Sequence, residues 1–125
     1  MDWIIVTPKK GETMNPIQKP LHVNNASVPF FTYVHDEIEF ITFDTSSCIP
    51  PEPMINAMLA LEKLIAPNIK VVMINHQNPV GLLAKIGSFY DIQTEDLGDG
   101  KLKLVFSYKA GESEKADLSK KSCAG

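Results

Sequence analysis

Few residues in this chain have side chains suited to chemistry: the cysteines Cys48 and Cys123, and the histidines His22, His35 and His76. Cys48 stands just before Pro50-Pro51-Glu52-Pro53-Met54, where an apolar run stops and a helix is expected to begin. A thiol at the positive end of a helix is a candidate nucleophile, because the field there favours thiolate. The plainer reading is a rigid strand-to-helix turn that carries an incidental small thiol. His76 lies in the polar turn Asn75-His76-Gln77-Asn78-Pro79, at the carboxyl end of a short apolar run, where α/β proteins place binding groups. The histidines can be assembled on paper with Asp36, Glu37 and Asp44 into a metal site. No pair has the helical i, i+4 or Cys-x-x-Cys spacing that metal ligation uses, so neither metal nor cofactor is expected. His35-Asp36-Glu37 reads as a solvated turn. The chain has no glycine-rich phosphate loop, no Gly-x-Ser-x-Gly elbow and no paired-carboxylate pattern, and conventional catalysis finds little support.

The elements that must position these residues follow from periodicity. Ile38 to Asp44 is rich in β-branched and aromatic residues and predicts a strand, stopped by Thr45-Ser46-Ser47. Met54, Met58, Leu61 and Ile65 recur at helical spacing, with Asn56 and Lys63 on another side, and predict an amphipathic helix over about 52–65. Pro51 and Pro53 suit its first turn, and Glu52 suits its dipole. Ile69 to Ile74 reads as a strand buried on both faces, and Pro79 opens a second helix through Val80, Leu82, Leu83 and Ile86. Strict alternation over Tyr90–Glu95 and Lys101–Tyr108 predicts two half-buried strands joined at Gly98-Asp99-Gly100.

The expected fold is therefore an α/β two-layer sandwich, βαβαββ, with two helices on one face of a four-stranded mixed sheet. Residues 1–37 read as an N-terminal extension, an added strand (Trp3 to Val6 or Phe30 to Val34, FFTYV) or a sheet cover, 38–109 as the domain and 110–125 as a flexible charged tail. The central strands carry apolar residues at both parities. The second sheet face should then be covered by the N-terminal segment (Trp3, Ile4, Phe30, Phe31, Tyr33) or by a second copy of the chain.

At 125 residues, with 44% hydrophobic and 22% charged content, the chain is one globular domain's worth. A net charge of −3 offers no basic field for nucleic acid. Asp2 sits where a secretory leader would be basic, and the run Trp3 to Val6 ends at Thr7-Pro8. A cytoplasmic protein with reduced thiols and no membrane association is expected, so a Cys48–Cys123 disulfide is conceivable but not favoured.

The turn, Pro51-Glu52-Pro53-Met54 and the helix behind them resemble the TusA/SirA-like sulfur-carrier family, whose hallmark is Cys-Pro-x-Pro at the start of its first helix. The likeness covers roughly 38–108 and implies the same βαβαββ order. It is closer to an uncharacterised branch with a Pro-Pro-Glu-Pro opening and a polar His/Asp turn followed by proline, here Asn75-His76-Gln77-Asn78-Pro79. In the carriers the persulfide-bearing cysteine directly precedes Pro-x-Pro; here Pro50 holds that place and Cys48 lies two residues earlier. The expectation is a non-enzymatic module that binds a protein partner through Pro50, Pro51, Glu52, Pro53, Asn75, His76, Asn78 and Pro79. The alternatives are a persulfide carrier using Cys48 and a metal- or cofactor-associated accessory protein using His76.

Overall fold

The computed structural model describes residues 17–118. In chain order they form β1 (Lys19–Leu21), β2 (Phe30–His35), β3 (Ile38–Asp44), α1 (Glu52–Leu61), β4 (Ile69–Asn75), α2 (Val80–Ile86), β5 (Tyr90–Gly98) and β6 (Lys101–Tyr108), followed by a single 3₁₀ turn at Ser113–Lys115. The β3-α1-β4 unit is the parallel crossover expected, with Glu39 opposite Ile69 and Asp44 opposite Ile74. β6 lies antiparallel between β4 and β5. The β5–β6 hairpin turns through Gly98, Asp99 and Gly100, all at positive φ, with a bulge between Asp96 and Gly98.

The sheet has six strands rather than four, in the order β1-β2-β3-β4-β6-β5. Part of the expected N-terminal extension extends the sheet: β2 pairs with β3 along its whole length, and β1 caps the edge. Asp36 and Glu37 both take positive φ, which makes the two-residue turn that matches strand twist; His35-Asp36-Glu37 is thus a hairpin tip. β1 leaves almost no trace in the sequence because it is three residues long with Pro20 at its centre, tolerable only at an edge.

The core lies between the sheet and the helices. Ile41, Phe43, Val71, Met73, Leu104 and Phe106 face Met54, Met58, Leu61, Leu82 and Ile86. Phe30 belongs to this side, stacked on Phe43 with ring centroids 4.7 Å apart, and so does not cover the opposite face. α1 is shorter than its periodicity suggests. After Leu61 the chain tightens into i→i−3 bonds (Lys63 to Ala60, Leu64 to Leu61), which buries Leu64 and leaves Ile65 70% exposed. Asn56, expected on the polar side, is fully buried. Its side chain accepts the Ser27 N–H at 3.0 Å and donates to Ser27 Oγ and to the Glu52 carbonyl, each at 2.8 Å. That clamps the β1–β2 loop onto α1.

On the other face, cross-strand neighbours place Phe31, Tyr33, Phe40, Thr42, Val72, Ile74 and Val105 side by side. Phe31 and Tyr33 are part of this face, not a cover for it, and Tyr33 stacks on Phe40 at 4.9 Å. Trp3 and Ile4 lie outside the described residues. The expected tail is packed where it begins. Ser113 is buried, donating to the Phe89 carbonyl at 2.7 Å and accepting the Lys109 N–H, while Ala116 and Leu118 rest on the core. Among the described residues no helix is long and apolar enough to cross a membrane.

Removing buried side-chain volume from α1 should cost far more than trimming the exposed turn that follows it. Met58→Ala should lower the unfolding free energy by about 2–5 kcal/mol, and Ile65→Ala should change it by less than about 0.5 kcal/mol, read from urea midpoints at constant m.

Candidate functional site

Parallel neighbours deliver their carboxyl ends to the same edge of a sheet, so the loops after β3 and β4 must emerge together. Here they are tied. The Thr45 N–H donates to the Ile74 carbonyl at 2.8 Å. The Thr45 hydroxyl lies 3.1 Å from that carbonyl and 3.0 Å from Asn75 Oδ1. Asn75 Nδ2 in turn donates to the Gln77 carbonyl at 2.8 Å, which shapes the second loop. Thr45 and Asn75 are both buried, and a fully satisfied buried polar link fixes geometry more firmly than a solvated one.

The first loop is wound tightly back toward α1. Asp44 Oδ1 accepts the Ser46 N–H, the Cys48 N–H reaches the Thr45 carbonyl, and the Glu52 N–H reaches the Ile49 carbonyl. Between this loop and the start of α2 lies a cleft of about 180 Å³. Seven of the expected site residues line it: Pro50, Pro51, Pro53, Asn75, His76, Asn78 and Pro79. Sequence reasoning missed Met54, Gln77, Val80, Gly81 and Leu82, which complete the wall. Met54 and Leu82 were read only as core residues. Each lies three positions after a lining proline, one helical turn further on, and that spacing is the signal that could have found them.

Glu52 does not line the cleft. Its carboxylate turns toward Ser27, whose hydroxyl approaches at 3.4 Å, and toward the Cys48 thiol. Cys48 is half-buried and lies outside the cleft wall. Its thiol is pushed up from the ordinary range, first by burial, then by donating a hydrogen bond to Glu52, then by the negative charges of Glu52 and Asp44. This reverses the expectation of a helix-activated thiolate. The reason is local: Pro51 and Pro53 lack N–H groups and the Glu52 N–H is already bonded, so the end of α1 offers Cys48 few free donors while a carboxylate stands beside it.

The three histidines are not brought together. His22 Nε2 bonds Asn24 Oδ1 at 2.8 Å, His35 lies by Asp36 at the β2–β3 turn, and His76 is exposed at the cleft rim. Among the described residues no group of three His, Cys, Asp or Glu side chains could hold a metal ion. The cleft wall carries no Asp, Glu, Lys or Arg, and no buried side-chain polar atom among the described residues lacks a partner. What the wall offers is apolar contact from prolines, Met54, Val80 and Leu82, with His76, Gln77 and Asn78 available for hydrogen bonds. Comparison with protein-family models, curated proteins and solved structures finds no match for this chain.

The thiol's surroundings predict its reactivity. In a Cys123→Ser background, Cys48 should react with iodoacetamide more slowly at pH 7–8 than a free cysteine, with its midpoint above the ordinary thiol value. Glu52→Gln removes an acceptor and a negative charge, both of which favour the protonated form, so the midpoint should move down.

Proposed function

We propose that this chain is a small non-enzymatic module that binds a protein partner, seating one of the partner's side chains in the cleft between the start of α1 and the β4–α2 loop. The observation that carries this reading is the cleft's size. At about 180 Å³ it falls below the roughly 300–1,000 Å³ of sites for cofactors and drug-sized ligands, and it suits a single anchoring side chain. The rim supports the same reading. Val80 on the α2 side is 66% exposed, and Ile49 beside the prolines is 71% exposed, so aliphatic surface flanks the opening.

The proline-rich opening and the β3-α1-β4-α2-β5-β6 order are in keeping with the likeness to the TusA/SirA-like family. With Pro50 where a carrier has its cysteine, the corresponding site would serve docking rather than group transfer. Persulfide carriage by Cys48 has the residue's proximity to α1 in its favour, and its raised, Glu52-bonded thiol against it. A metal- or cofactor-associated role has only the rim position of His76 behind it. The half-buried free thiol suits a reducing, cytoplasmic setting.

A photo-crosslinking side chain placed at Val80, and separately at Ile65 in the turn that follows α1, tests the docking role in extracts of the source cells. The expected result is a discrete adduct from Val80 that is lost in His76→Glu/Asn78→Glu, both exposed positions, with no such adduct from Ile65. Equal labelling from both positions, or an adduct indifferent to the double variant, would contradict a docking role for the cleft.

A further inference from the structure

We propose that the sheet face turned away from the helices is the contact surface of a two-fold dimer of this chain. Strand register lays that face out in rows. Phe31, Thr42, Val72 and Val105 stand abreast on β2, β3, β4 and β6, with Tyr33 and Phe40 on one side of the row and Ile74 on the other. The helices, the β1–β2 loop, Ala116 and Leu118 all pack on the opposite face, with Ile41, Phe43, Val71 and Phe106. Charges of both signs frame the patch, since Lys70, Lys103, Asp44, Asp91 and Glu95 share its side of the sheet. An aromatic and aliphatic centre inside a charged rim is the anatomy of a protein interface. A rim of mixed sign also lets a face meet its own copy without a single-signed field to repel it.

Area favours a second copy over a smaller occupant. Six strands at about 4.8 Å spacing and about 20 Å of length give a face of roughly 600 Å² in projection. Side-chain relief brings its accessible area toward the roughly 800 Å² that each partner of a standard interface buries. An extended run of four apolar residues, such as Trp3 to Val6, turns only two side chains to one side, too few for this patch. Shape favours a copy as well. The stacked Tyr33–Phe40 rings stand toward one end of the strands, and a depression of about 300 Å³ bordered by Phe31, Thr42 and Ile74 lies toward the other. A two-fold axis lying across the strands sets the rings of each copy over the depression of the other, as an isologous contact requires. The same axis puts the two clefts at opposite ends of the dimer and makes a docking module bivalent. That consequence rests on the docking role; the dimer does not.

Light scattering on the full chain over a range of micromolar concentrations tests this. The expected result is a mass that reaches twice that of one chain. Phe31→Asp/Val105→Asp should hold the mass at one chain with far-UV circular dichroism unchanged. Val34→Asp, an exposed position on the opposite face of β2, should leave the dimer intact. Where the aspartates unfold the chain, Phe31→Thr/Val105→Thr keeps strand-forming residues and should weaken the dimer by about ten-fold or more. A single-chain mass at every concentration would overturn the proposal. Binding of anilinonaphthalene sulfonate would then mark the face as open to a different partner, and no binding would mark it as covered by the chain itself. A dimer that survives both pairs of substitutions, or that Val34→Asp dissolves, would place the contact elsewhere and overturn the proposal equally.

Discussion

Everything distinctive about the site depends on the parallel pairing of β3 with β4. Two parallel strands cannot be joined by a tight turn; the crossover must pass through α1, and both strands must end at one edge of the sheet. The Thr45–Asn75 contact turns that adjacency into a fixed distance, because the hydroxyl and the amide satisfy each other in a buried place where water cannot substitute. Neither loop alone makes a cleft. Held together by this link, a proline-rich lip and a polar lip face each other across a space the size of a side chain.

The same stretch decides what the site does not do. Prolines at 51 and 53 start α1 at almost no cost, since the first-turn N–H groups would have lacked helical partners, but they remove the donors that make helix starts good seats for anions. Burial, and then Glu52 on the flank, push the neighbouring thiol up from its ordinary range. The chemistry a cysteine next to a helix suggests is suppressed by its immediate neighbours, and an apolar receptacle remains.

How much of this could be read from residues alone varied with the physical signal. β3, β4 and α1 announced themselves through composition and period, and with them the topology that brings Asn75–Pro79 to Pro50–Pro53. β1 could not be seen, because three edge residues around a proline carry no alternation. β2 was legible as FFTYV, but its pairing rests on the backbone conformation of Asp36 and Glu37, which side-chain patterns do not encode. Asn56 looked like a solvated side chain and is instead the buried clamp for Ser27, since burial of an amide depends on a loop 29 residues away. The raised state of Cys48 was missed for a related reason: the dipole argument counted a generic helix start and not the donors its prolines withhold. The packing of residues 113–118 escaped because its few anchors, Ser113, Ala116 and Leu118, are outnumbered by charges.

Amide hydrogen exchange in the Asn75→Ala variant tests most directly whether the two loops are one mechanical unit. The Asn75 side chain touches the first loop through Thr45 and the second through Gln77. The amides of Thr45 and Cys48 should therefore exchange faster together with that of Val80, while those of β6 keep their protection. Faster exchange confined to Val80, with Thr45 and Cys48 unchanged, would contradict the account, because the lips of the cleft would then be held independently.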